Sequence, residues 1–151
     1  MYQKPLAIVF VSSLFLALNV QADDAAVKTL KLMRACAGCD LQQADLVYAD
    51  LKNADLAGAN LAGADLEAAD LSGANLEGVN LQGANLTDAD LNGAVLKGAD
   101  LRNADLTNAN IERSDLRDAD LSTVDISAER YSVVTLCGTK TKEGVQNRDC
   151  R

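Results

Sequence analysis

Four thiols and a regular series of carboxylates are the side chains in this sequence whose types and spacing suggest chemistry. Cys36-Ala37-Gly38-Cys39 has the C-x-x-C spacing of a dithiol redox couple, and Cys137 and Cys150 lie far downstream. Between them aspartate recurs at multiples of five residues. Paired carboxylates can serve glycoside hydrolysis or bind a hard cation such as calcium. The 151 residues include no histidine and no tryptophan, which excludes imidazole triads and His-ligated zinc or iron. No nucleophile–base pair, phosphate loop or metal cluster stands out, so neither an enzyme nor a cofactor is expected. Tyr2, Phe10 and Phe15 fall in the first fifteen residues, leaving Tyr48 and Tyr131 as the remaining aromatics. With 22 acidic against 14 basic residues and a net charge of −8, the chain is expected to repel nucleic acid and anionic lipid.

The amino terminus reads as an address. Residues 1–22 combine a short polar start with Lys4, an apolar run from Leu6 to Val20, and Val20-Gln21-Ala22 ahead of Asp23-Asp24. This is the pattern of a secretory signal peptide cleaved after Ala22. The run is broken by Ser12, Ser13 and Asn19 and falls short of the ~20 apolar residues that span a bilayer, so no stable membrane anchor is expected after cleavage. An exported protein, periplasmic or extracellular in a bacterium, is the expectation.

A five-residue period fills residues 39–128, in 18 units. Its apolar positions are Leu41, Leu46, Leu51, Leu56, Leu61, Leu66, Leu71, Leu76, Leu81, Leu86, Leu91, Leu96, Leu101, Leu106, Ile111, Leu116, Leu121 and Ile126. Two places before each stands a small residue, usually Ala, with Cys39, Val79, Ser114 and Val124 as exceptions. One place before stands Asp or Asn, except at Val95. On an α-helix a step of five advances by ~140° and makes no stripe. On a straight strand it alternates faces. The pattern survives only if the chain turns a corner in every unit, and the Gly, Asn and Asp residues two places after many leucines mark that corner.

The units Ala49-Asp50-Leu51-Lys52-Asn53, Ala59-Asn60-Leu61-Ala62-Gly63 and Ala69-Asp70-Leu71-Ser72-Gly73 resemble the pentapeptide-repeat family, whose consensus is Ala-(Asp/Asn)-Leu-x-x. The resemblance implies an all-β fold: a right-handed, four-sided β-helix with four units per coil and both the leucine and the small residue pointing inward. The 18 units would then make about 4.5 coils, a rod roughly 22 Å long with a dry leucine column and no small-molecule cavity inside it. Residues 23–38 read as a helical amino-terminal cap, with Val27, Leu30 and Met33 on one face and Gly38 ending the helix. Residues 129–151 read as a carboxyl-terminal cap: a strand over Tyr131–Leu136, then a polar loop or hairpin over Lys140–Asp149.

On such a rod Cys36 and Cys39 lie at the end opposite Cys137 and Cys150, so the expected disulfides are Cys36–Cys39 and Cys137–Cys150. A redox-active C-x-x-C is the alternative, although no strand–helix pattern follows it. A pitch of 20 residues stacks Asp50, Asp70 and Asp90, where like charges would raise one another's pKa or recruit a cation, unless each carboxylate is held by nearby backbone or hydroxyl donors. The repeat region carries −12, and no basic residue lies between Asn53 and Leu96. These features predict an exported, non-enzymatic scaffold that binds an as yet unidentified protein through its outer faces. An acidic DNA mimic that protects gyrase, as the resemblance also suggests, is the alternative. It conflicts with export and lacks a carboxyl-terminal dimer segment. A cation-binding Asp ladder is a second alternative.

Overall fold

The computed structural model describes residues 24–124, 134–147 and 150. Its main body is built by one accounting rule: in a unit with Asp or Asn before the leucine, the amides find acceptors in neighbouring coils or within the unit. In the unit around Leu81, the Asn80 amide donates to Ala59 O of the preceding coil at 3.0 Å. The Leu81 and Gly83 amides donate to Asp100 O and Arg102 O of the following coil at 2.8 and 2.9 Å. The Ala84 amide closes the turn on Leu81 O at 3.0 Å, and the Gln82 amide donates to the Asn80 side chain at 3.1 Å. No backbone donor is left for water, which is what allows so short a strand segment to be stable in a stack.

Successive coils pair in parallel at a constant offset of 20 residues, as in Asp40↔Asn60, Asp50↔Asp70 and Asp100↔Asp120. Four units therefore make one coil. The side chains from Leu41 to Leu121 at the apolar position are all buried, none more than 6% exposed, and the small residues line the same core. Ile126 lies outside the described residues. From the unit of Leu41 to that of Leu116 the second residue after the apolar one takes the left-handed conformation, whether Gly83 (φ 67°), Asn103 (φ 59°) or even Tyr48 (φ 54°) and Arg113 (φ 57°). The predicted corner is thus where the chain turns, and the larger residues there bear a backbone cost that glycine avoids.

The ladder extends past the repeat boundaries expected from leucine spacing. Ala35 pairs with Asp55, and Cys36 occupies the leucine place of that first unit at 5% exposure. At the other end Thr135 pairs with Asp115 and Lys140 with Asp120, while Leu136, Thr139 and Thr141 are buried in phase with the repeat. Part of the expected strand, Tyr131–Val133, lies outside the described residues. Thr135 is a rung of the ladder.

Helix α1 (Asp24–Met33) precedes the first coil. Leu30 is fully buried against the core, with Ala26 and Val27 packed partly against it. Met33 does not share that face: it is 72% exposed, as is neighbouring Leu32 at 71%. The helix also stops five residues before the glycine expected to end it. Arg34 turns left-handed (φ 49°), its amide bonded to Leu30 O, and Gly38 instead forms a corner of the first coil. At the far end β1 (Thr139–Thr141) and β2 (Gly144–Gln146) form an antiparallel hairpin with Lys140 opposite Val145.

Candidate functional site

The Asx position explains why the residue before each leucine is Asp or Asn. Its side-chain oxygen accepts the amide two residues on, as Asp65 does from Glu67 (3.2 Å), Asp90 from Asn92 (3.0 Å) and Asn110 from Glu112 (3.1 Å). This satisfies the one amide of the unit that no backbone carbonyl accepts. Val95 has no such acceptor to offer. Asparagine adds a second bond across coils: Asn75 Nδ2 donates to Asp55 (3.0 Å), Asn85 to Asp65 (2.9 Å) and Asn110 to Asp90 (3.0 Å).

Asp50, Asp70 and Asp90 do stack, as neighbours in one bridged column. The expected rise in pKa does not follow at the central position. The Ser72 hydroxyl (2.5 Å) and amide (2.9 Å) hold the Asp70 carboxyl below its ordinary value, aided by Lys52 and Arg34 and opposed by partial desolvation. Asp50 is paired with Arg34, and Asp90 accepts from Asn92 and Asn110. Among the described residues no group of three or more Cys, Asp or Glu side chains is placed to hold a metal ion. Asp100 and Asp115 are likewise lowered, chiefly by hydrogen bonds from Arg102 and Arg117 of their own units.

The outward charge is unequal around the coil. Units centred on Leu46, Leu66, Leu86 and Leu106 present Asp45, Asp65, Glu67, Asp88 and Asp105 on one side, with no lysine or arginine among their outward residues. The exposed Tyr48 ring stands at the start of that side. Near the carboxyl-terminal end a half-open hollow of about 360 Å³ is rimmed by Asn103, Asp105, Thr107, Thr123 and Lys142. The Asn103 amide there donates to the Thr123 hydroxyl (2.7 Å), where other corner amides reach a backbone carbonyl. The rim combines one carboxylate with one amine and has no nucleophile–base pair.

The cysteines are joined as Cys36–Cys39 and Cys137–Cys150, with Cα separations of 5.3 and 4.9 Å. Cys36 is buried and its sulfur lies 3.7 Å from Ala26 O of α1, whereas Cys137 is half-exposed and Cys150 exposed.

Stacked five-residue turns around a solid apolar column define a solenoid whose accessible chemistry is on its outer sides. The chain belongs to the pentapeptide-repeat family: the family model for pentapeptide repeats matches in eight copies, over residues 36–73, 59–98 and 84–122. No curated protein matches the chain significantly. Among solved structures it is similar to the pentapeptide-repeat protein Rfr23 from the cyanobacterium Cyanothece 51142, at 30% identity over 82% of this chain and 97% of that one, with a TM-score of 0.55. It is also similar to HetL, a pentapeptide-repeat protein involved in heterocyst differentiation regulation in the cyanobacterium Nostoc sp. strain PCC 7120. That match has 29% identity, a TM-score of 0.50, and covers 73% of this chain and 50% of HetL. QnrB1, a plasmid-mediated fluoroquinolone resistance protein, matches at 18% identity and a TM-score of 0.40, covering 71% of this chain and 60% of that one, which carries no functional argument. Family members are in general structural and interaction proteins rather than enzymes.

Proposed function

We propose that this protein is an exported, non-enzymatic scaffold, a right-handed four-sided rod closed by α1 at one end and by the β1–β2 hairpin at the other, which binds a protein partner through an outer side. The observation that carries the reading is the contrast between interior and exterior. The leucines from Leu41 to Leu121 are packed away. One outer side, by contrast, carries Asp45, Asp65, Glu67, Asp88 and Asp105 without a counter-charge of its own. A flat, rigid, acidic side fits a basic protein segment, which it would attract over several ångströms and in a salt-sensitive way. Two disulfides support an oxidising compartment, in keeping with the signal-like residues 1–22. The acidic DNA-mimic alternative shares the acidic surface but conflicts with the signal-like residues 1–22, so it is not adopted.

The test is affinity capture of the tagged parent and of the triple variant Asp65→Lys, Glu67→Lys, Asp88→Lys from a periplasmic fraction, with sequencing of the captured chain's own amino terminus. The expected result is a mature chain beginning at Asp23 and a salt-sensitive basic partner retained by the parent and lost from the variant. An uncleaved chain confined to the cytoplasm, or equal capture by both forms, would overturn the reading.

A further inference from the structure

The last strand of the ladder has an edge that the next coil would normally cover. On one side β1 continues the parallel stack, Lys140 donating its amide to Ala119 O at 2.9 Å. On the other side, among the described residues, it is covered only by β2, in antiparallel pairing over three residues. An isolated two-stranded ribbon of that length is marginal in water, so something other than the pairing must hold β2 in place. Burial does not. Gly144 and Val145 are exposed, Val145 to 57%, and Gln146 is only half-buried. Of the side-chain bonds at the hairpin, three meet at one hydroxyl between its strands: Thr141 Oγ1 donates to Gly144 O at 3.0 Å and accepts from Glu143 N and Gln146 Nε2, both at 3.3 Å.

What spans the hairpin covalently is Cys137–Cys150, from a residue two before β1 to a residue four after β2. Both of its cysteines face solvent at least in part, within reach of an external thiol. Cys36–Cys39 differs in each respect. Cys36 is buried beneath α1, and the bond bridges only three residues of a turn already closed by the Cys39 amide on Cys36 O at 3.1 Å.

We propose that Cys137–Cys150 is a redox latch that controls whether the carboxyl-terminal strand edge is covered. A dithiol reductant transfers two electrons and two protons to it. The S–S bond breaks, Cys137 and Cys150 become thiols, and the reductant leaves as its own disulfide. Once the loop is open β2 separates and the edge of β1 is bared, while the coils beneath keep their ladder. Oxidation reverses the step. Closing the loop between Cys137 and Cys150, a sequence separation of 13, constrains the open state enough that its population rises about 100-fold when the bond is cut.

Hydrogen exchange on the full chain tests this, comparing the oxidised parent, the folded parent treated with dithiothreitol, and the oxidised variants Cys137→Ser with Cys150→Ser and Cys36→Ser with Cys39→Ser. Amides in residues 141–146 should exchange about 100-fold faster in the reduced parent and in the first variant. The Lys140 amide, bonded to Ala119 O, and those of residues 41–121 should keep their protection, reoxidation should restore slow exchange in the parent, and the Cys36/Cys39 variant should exchange like the oxidised parent in residues 141–146. Unchanged protection of residues 141–146 after the bond is cut would overturn the proposal. So would loss of protection along the whole rod, because the bond would then hold the fold and not one strand. The reduced parent starts from folded protein, so the test does not depend on the serine variant folding.

Discussion

Truncating Leu81 to alanine probes the column where it has least freedom to adjust. Leu81 is fully buried, with Leu61 and Leu101 at the corresponding places one coil away on either side and Val79 and Ala84 beside it. Collapse around the missing atoms would require coils to approach, but their separation is fixed by bonds on both sides of this residue: Asn80 N to Ala59 O, Leu81 N to Asp100 O, and Gly83 N to Arg102 O. The cavity therefore persists, and the loss belongs in the upper part of the range for buried leucine, about 3–5 kcal/mol. The neighbouring change Gln82→Ala removes an exposed side chain and leaves the bond from its amide to the Asn80 side chain in place, so it should move stability by less than about 0.5 kcal/mol. Urea unfolding of both variants, followed by circular dichroism at one temperature, gives the two values directly. Equal losses, or a Leu81→Ala cost under about 1 kcal/mol, would refute the argument that the ladder holds the column open.

Acid should weaken the rod. Asp70, Asp100, Asp105, Asp115 and Asp120 are held below the usual carboxylate range, first by side-chain hydrogen bonds from Ser72, Arg102, Thr107, Arg117 and Ser122 respectively. A carboxylate lowered in the folded state stabilises above its unfolded pKa of about 3.9 and loses that contribution as pH falls through the folded value. The urea midpoint should be level above about pH 5 and fall between about pH 4 and 2, and a level or rising midpoint in that window would contradict the carboxylate bonds described. Val95→Asn should stabilise the protein by about 0.5–1 kcal/mol, because it gives the Lys97 amide the side-chain acceptor that other units supply. The same unfolding assay checks this, and a loss of stability would show that the Asx bond is not what selects the position.

The leucine spacing made the column readable because burial of one large side chain per unit needs no knowledge of the pairing. The two terminal units were hidden for a physical reason: Cys36, Thr139 and Thr141 fill inward places with small or polar side chains, so the apolar signal ends before the ladder does. Thr139 tolerates that place because its hydroxyl donates to Leu116 O at 2.5 Å. Met33 misled because helical periodicity marks a face but not where the helix stops, and Arg34 supplies the left-handed residue usually given by glycine or asparagine. For the stacked aspartates, sequence placed the three carboxylates correctly. It did not decide between mutual repulsion and local donors, since the deciding groups are a serine hydroxyl and backbone amides two residues on. The one-sided acidic surface needed the 20-residue pitch before its members could be grouped.

That pitch also sets how such a chain can change length. Each side of the coil offers the same apolar residue to the interior, so removing five residues, for instance 76–80, lets the following coils re-pair a quarter turn later with leucine still meeting leucine. The outside does not survive so well. Asp65, which receives the Asn85 amide, would come to lie beneath Asp90. Every outer column beyond the cut would be dealt to the neighbouring side, and the acidic side would be broken in two. Removing 20 residues, a whole coil, would leave each side with its own kind of neighbour. The interior thus counts in fives and the exterior in twenties, so the fold can accept length changes that a surface-bound partner would reject.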